Sequence, residues 1–465
     1  MDAWWDNFRS DREGPKYLAI LGGLAEAIQS GRFEPGRRLP SHRLLAEKLG
    51  VSVGTVTRAY QEALDLGLIT GSVGRGSFVS FHPTEQIRVV DSSRTPARCL
   101  DLMQNIPVGI PEVENKAWSD ALATLRRENN LARQARRSWS ELSPRHQQTG
   151  AAWIGRTGLE ASPDNIFDCP GTVPALCAIF GATTSPGDLV LTASLSHPIA
   201  RMLADQYSLK IQGLAMDEQG IEPDAFEAAC RGAAPALLYC APTIHAPTTT
   251  TMPEERRREI AEIANRHDVF IVEDESAAFL LPDPILPISA HAPGRSFFMG
   301  DVWMALSLGL RTAYVLAPES MVGAMATAVA STSGVTPPIV AEIATQWIDS
   351  GAADRLIEHR RTELIARNAD ARKILRRGTL RSDPCGHHVW LELPEPWRSD
   401  LFVLRAERLG IAVGGVEWFT VGHGPTPEAV RICIGNAPGR VELRRALEQL
   451  NGLIAEPHST NGPSI

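Results

Sequence analysis

The chain contains five lysines, Lys16, Lys48, Lys116, Lys210 and Lys373, and none falls between Lys210 and Lys373. A primary amine is the side chain that condenses with an aldehyde, so this long interior stretch holds no group able to form a Schiff base with a carbonyl compound. Other chemistry-bearing residues are placed more suggestively. Asp274 closes the apolar run VFIVED, and the Gly171-Thr172 turn precedes the run PALCAIF, where helix N-terminal N–H groups can face an anion. Seven cysteines (Cys99, Cys169, Cys177, Cys230, Cys240, Cys385 and Cys433) are odd in number, far apart and without a CxxC pair. That spacing argues against a disulfide framework and a structural zinc site, and predicts reduced, mostly buried thiols with no metal.

The elements that position these groups follow from pattern. At 465 residues and 43% hydrophobic content, the chain is long enough for two or three domains with real cores. The opening MDAWWDNFRSDREG is polar and leads into no apolar run of spanning length, so neither a secretory signal nor a membrane anchor is expected, and the cytoplasm is the expected compartment. Net charge is −8, yet Lys16 to Ser80 holds eight Lys/Arg against five Asp/Glu, a local +3 that permits nucleic-acid binding there.

Within that region, Tyr17 to Ile28 repeats apolar residues at helical spacing and Pro35-Gly36 breaks it. Ser41 caps a short helix through Leu49, Gly50 ends it, and Ser52 caps a second running to about Leu66. Two short helices joined by a glycine-containing turn make a helix-turn-helix, and LITG-SVGRG-SFVSF adds a hairpin wing with Arg75 at its tip. Phe81 to Arg98 is polar, carries two prolines and reads as a linker. Beyond Leu100, short apolar runs (DLVLTA, ALLYCAP, VFIVED, TAYVLAP) alternate with amphipathic stretches such as PEERRREIAEIANRH, the pattern of an α/β body with a mostly parallel sheet.

The ordered motifs LPSxR, LAxxLGVS, TVxRAY and GxGxFV make this head resemble the GntR family of winged-helix regulators. The resemblance implies that Arg43 and Arg58, with Ser41, Thr55 and Thr57, meet phosphates and groove edges of a double-stranded DNA operator, while Arg75 reaches the minor groove or backbone. Val53 departs from an arginine often found at its position, which puts base readout by that helix in doubt. Arg38 and Lys48 are expected to be solvated surface charges.

The body resembles the fold-type I aminotransferases through CPGTVPALCAIFGATTSPGDLVL, MDEQGIEPDAF, the segment from APTIHAPTT to VFIVEDE, GLRTAYVLAP, HHVWLELP and AVRICIG. Its fusion to a GntR head points to the MocR type of regulator. Aligning Gly309 to Tyr314 on the family's GLRxGY segment puts Trp303 and Met304 at the serine and the Schiff-base lysine, and Met304 cannot form an aldimine. Ala246 replaces the asparagine that bonds the ring hydroxyl, Ser276 replaces a tyrosine, and His197 stands near the ring-stacking aromatic. What the resemblance leaves in place is Asp274 for a pyridine nitrogen, Gly171, Thr172 and Arg311 for a phosphate, and Arg431 for an effector carboxylate. Trp303 and Met304 are expected to fill volume vacated by a cofactor.

These readings assign a winged helix-turn-helix to residues 14–80, a linker to 81–99, a large aminotransferase-like domain to 100–330, a small C-terminal one to 331–455 and a tail to 456–465. The expected function is a homodimeric DNA-binding transcriptional regulator, not an enzyme, with an effector-sensing body. No cofactor is held covalently, and room is left for non-covalent pyridoxal phosphate. The alternatives are a pyridoxal-phosphate aminotransferase with a vestigial head, and a structural dimer with a filled pocket.

Overall fold

The computed structural model describes residues 16–29, 32–33, 37–65, 68–72, 76–79, 99–127, 136, 138, 142–422, 424 and 426–455. The linker Phe81 to Arg98, the wing-tip Arg75 and the tail 456–465 lie outside the described residues. The chain divides into two compact units, one of Met1–Cys99 with Glu395–Gly410 and one of Leu100–Pro394 with Ile411–Ile465.

The first unit begins with helices α1 (Lys16–Gln29), α2 (His42–Leu49) and α3 (Val53–Asp65), then strands β1 (Ile69–Ser72) and β2 (Gly76–Val79). Local chemistry sets these boundaries. The Ser41 side chain accepts the Leu44 N–H at 3.4 Å, Gly50 closes α2 at φ +62°, and Ser52 Oγ accepts the Thr55 N–H at 3.1 Å. The strands pair antiparallel from Ile69↔Val79 to Ser72↔Gly76, the wing read from the sequence. Ile20, Leu24, Leu45, Val56, Ala59 and Tyr60 bury between the helices, and the Tyr60 hydroxyl donates to the Pro40 carbonyl at 3.0 Å. The helix Ser399–Arg408 belongs to this unit: Leu401 is buried in the same cluster, and Arg405 Nη2 lies 3.1 Å from Glu62 Oε2.

The second unit is built on a seven-stranded sheet of β3 (Ile166–Cys169), β4 (Leu189–Ala193), β5 (Lys210–Leu214), β6 (Leu237–Cys240), β7 (Phe270–Asp274), β8 (Ser296–Asp301) and β9 (Ala313–Leu316), in the order β3-β9-β8-β7-β6-β4-β5. Five adjacent strands, β8-β7-β6-β4-β5, run parallel. Helices cover both faces, which is why runs such as LLYC are apolar throughout rather than alternating. One expectation needs correction. TAYVLAP contains β9, which runs antiparallel to both neighbours; burial on two faces makes a strand apolar whatever its direction, so the run alone could not fix it. A smaller antiparallel sheet follows, with β10 (Thr379–Ser382), β11 (His388–Glu392), β12 (Gly414–Gly415) and β13 (Ala429–Cys433) in the order β10-β11-β13-β12. Among the described residues no helix is long and apolar enough to cross a membrane. Five of the seven cysteines, Cys169, Cys230, Cys240, Cys385 and Cys433, are buried thiols.

Candidate functional site

The carboxyl ends of the parallel strands gather the polar groups of the body, as open α/β sheets do. Register explains which groups meet. Ala313 of β9 pairs with Asp301 on one side and Cys169 on the other, so the ends of β3 and β8 lie level across one strand. Helix α4 (Thr172–Thr183) starts three residues after Cys169, just past the N-cap Gly171 with φ +103°, and this brings Thr172 onto Asp301. Thr172 Oγ1 donates to Asp301 Oδ2 at 2.6 Å. The Trp303 backbone N–H donates to Asp301 Oδ1 at 2.9 Å, while the Trp303 indole donates to Thr172 Oγ1 at 3.2 Å. Asp301 is completely buried, and burial pushes its carboxyl up to about 7, with the Asp274 charge adding to the rise.

Asp274 ends β7, one strand over. Its Oδ1 accepts Ser276 Oγ at 2.6 Å and the Ser276 N–H at 3.2 Å, and its Oδ2 accepts the Tyr239 hydroxyl at 3.1 Å. Burial raises its carboxyl above the usual range despite these donors. Met304 packs against the apolar cluster around Val302, Ala305 and Leu306, whereas Trp303 joins the polar network through its indole. Ala246 contributes no polar atom. Arg311 is exposed beside Gly171, whose Cβ position would lie 3.8 Å from Arg311 Nε, and among the described residues it has neither ion pair nor hydrogen bond.

Arg431 lies in β13 and is 4% exposed. Its Nη2 donates to the Met103 carbonyl at 2.7 Å and its guanidinium sits 4.6 Å from the Phe419 ring centroid. Nε and Nη1 are buried with no partner, and no described carboxylate pairs with this cation. His197 and His388 feel this charge, and His245 neighbours both histidines. His197 keeps an exposed face, yet the protein enclosing it and then Arg431 lower its imidazole to about 3. Burial lowers His245 to about 4, and burial followed by Arg431 lowers His388 to about 3. A buried guanidinium with two unpartnered donors is costly unless an anion meets it.

Asp301, Tyr239, His245 and His388 are residues of these polar clusters that sequence reading missed. Asp301 carried a usable signal, since an acid ends the buried run SFFMGD just as Asp274 ends FIVED.

In the head, Arg43 is exposed and Thr57 presents its hydroxyl at the surface, 3.1 Å from His42 Nδ1. Ser41 and Thr55 serve the helix caps, Thr55 Oγ1 lying 2.8 Å from Ser52 Oγ. Arg58 is half-buried with its guanidinium 4.1 Å over the Tyr17 ring. Val53 is exposed at the start of α3, and Arg75 is outside the described residues.

A winged helix-turn-helix joined to an aminotransferase scaffold defines a class of protein: a DNA-reading module carried by a body descended from an enzyme fold. The body, residues 116–450, matches the aminotransferase class I and II family model, and residues 16–79 match the bacterial regulatory proteins, gntR family. The chain belongs to the aminotransferase class I and II family and carries a gntR-family head, the two-part composition of MocR-type regulators. It is 27% identical over 455 residues to the HTH-type transcriptional regulator YdeF of Bacillus subtilis (strain 168), covering 97% of this chain and 96% of that one. It is 24% identical to the HTH-type transcriptional regulator TauR of Rhodobacter capsulatus, covering 84% and 86%. In fold it is similar to the kynurenine aminotransferase of Pyrococcus horikoshii, at TM-score 0.70, 22% identity, and 78% and 92% coverage.

Pyridoxal phosphate, which the resemblance of the body implies, needs an amine, an acceptor for its ring nitrogen and donors for its phosphate. Asp274 supplies the acceptor. Met304 supplies no amine, and the Thr172 hydroxyl already serves Asp301. The residues present do not fit the group.

Proposed function

We propose that the chain is a homodimeric, cytoplasmic transcriptional regulator that binds double-stranded DNA through its winged helix-turn-helix and senses a small effector in its body, with no transamination. One observation carries this reading: a fully built helix-turn-helix, both helices capped, accompanies a pocket with Met304 in place of the reactive amine. Arg43 and Thr57 stand on the surface available to phosphates and base edges, while Ser41 and Thr55 hold the helix ends that lend N–H groups to the backbone. In the body, Arg431 with its two unpartnered donors supports capture of a carboxylate effector. An effector alters DNA affinity only if it binds two arrangements of the dimer unequally.

The test is selection of DNA fragments from the source genome by the purified chain, followed by electrophoretic titration at several salt concentrations. Specific retention that weakens steeply with salt is expected. Retention of no fragment, or turnover of an amino acid by the purified chain, would reverse the reading in favour of an enzyme with a vestigial head.

A further inference from the structure

We infer that the Asp301 carboxyl is an internal acceptor held at the N-terminal end of α4, and that the body site therefore rejects phosphorylated compounds and takes an unphosphorylated effector. The inference deepens the sensing reading above and rests on it for the pocket being a ligand site.

The argument starts from what a helix start offers. Its first N–H groups lack intrahelical acceptors and carry partial positive charge, so an anion placed there is stabilised. Helix α4 is twelve residues long, and the positive φ of Gly171 turns the chain so that these donors face the strand ends. In this protein a side chain meets the demand. Asp301 takes the Thr172 hydroxyl at 2.6 Å and the Trp303 N–H at 2.9 Å, and Trp303 closes the network by donating its indole to Thr172. Both groups are donors that a phosphate oxygen would otherwise use.

Charge points the same way. Asp301 is fully buried, and Asp274 adds a second carboxylate to the same strand ends, close enough to disfavour ionisation of Asp301. A phosphate brought to this end would face both carboxylates and gain only Arg311, which is exposed and screened by solvent. Arg431 differs, because it is buried and has no counterion among the described residues. The body therefore offers a cation to a carboxylate, while the donors beside Asp301 are already taken from a phosphate.

The experiment compares pyridoxamine phosphate with pyridoxamine by calorimetry, two probes that differ only in the phosphate and cannot condense with lysines. Full-length wild type, Asp301→Asn and Asp301→Ser are titrated, with thermal melts confirming that each is folded. Wild type is expected to show no preference for the phosphorylated probe. Either variant is expected to gain affinity for pyridoxamine phosphate by at least about tenfold, the scale of one charge-assisted hydrogen bond, with pyridoxamine unchanged. Preference for pyridoxamine phosphate by wild type, unaltered in the variants, overturns the inference. So does a lack of phosphorylated-probe binding in all three proteins, since something other than Asp301 would then close the site. DNA retention is measured on the same samples; its loss in wild type would count against the regulator reading, whereas the probe comparison bears on Asp301 alone.

Discussion

The hydroxyl of Thr172 and the carboxylate of Asp301 lie 2.6 Å apart, although 129 positions separate them in the chain. The contact ties the first turn of a helix to the last residue of a strand, and it decides what the strand ends can hold. A helix start that opened onto free space would be an anion site; here an internal carboxyl occupies it.

Restoring the amine alone is expected to fail. Met304→Lys, incubated with pyridoxal phosphate and reduced with borohydride, yields no modified peptide at position 304, whereas Met304→Lys combined with Asp301→Ser does. Mapping the labelled peptide distinguishes this from reaction at the five native lysines. Efficient labelling of the single variant would show that Asp301 does not oppose the phosphate.

Asp301 also predicts a pH signature. Burial pushes its carboxyl up to about 7, above the ordinary aspartate value of about 3.9, so between these values the native state binds more protons than the unfolded one. Stability contributed by the protonated group is present at low pH and lost as pH rises through about 7. The stability of Asp301→Asn relative to wild type should therefore increase from pH 5 to pH 8 in urea denaturation. A pH-independent difference would mean that Asp301 titrates as an ordinary surface acid.

Arg431 is expected to trade stability for recognition. Arg431→Met removes a buried cation with two unsatisfied donors and should raise the stability of the ligand-free protein by about 1–3 kcal/mol. The same change should abolish thermal stabilisation by every carboxylate that stabilises wild type in a panel of amino acids. Retained stabilisation would place the anion elsewhere.

Two arginines of the head should separate in their effects. Arg43→Ala is expected to weaken operator binding by about 1–3 kcal/mol with little change in melting temperature, because this side chain is exposed. Arg58→Ala uncovers the Tyr17 ring and should lower the melting temperature of the head in addition to any loss of DNA affinity. Equal effects of both changes on melting would contradict the assignment.

Much of this molecule was legible in its sequence because the signals are local. Ser41, Gly50 and Ser52 punctuate the helix-turn-helix within a dozen residues, and the apolar runs announce the sheet. What escaped reading depends on pairs distant in sequence. The antiparallel course of β9 is set by its neighbours, not by its own apolar residues. Aligning the lysine loop drew attention to Trp303 and Met304, while Asp301, two residues earlier, acquires its meaning only from the register that sets it level with Cys169. The grouping of His197 and His388 with Arg431 likewise joins three separate elements and leaves no spacing to find.

The presence of Leu401 in the apolar cluster of the first unit bears on the order in which this protein is completed during synthesis. Domains ordinarily settle as they leave the ribosome, amino-terminal ones first. Here the head must wait for a helix whose Arg405 follows its partner Glu62 by 343 positions before its interior is sealed. A prematurely terminated chain would thus release a DNA-reading module with one side of its core exposed, a natural target for proteolysis.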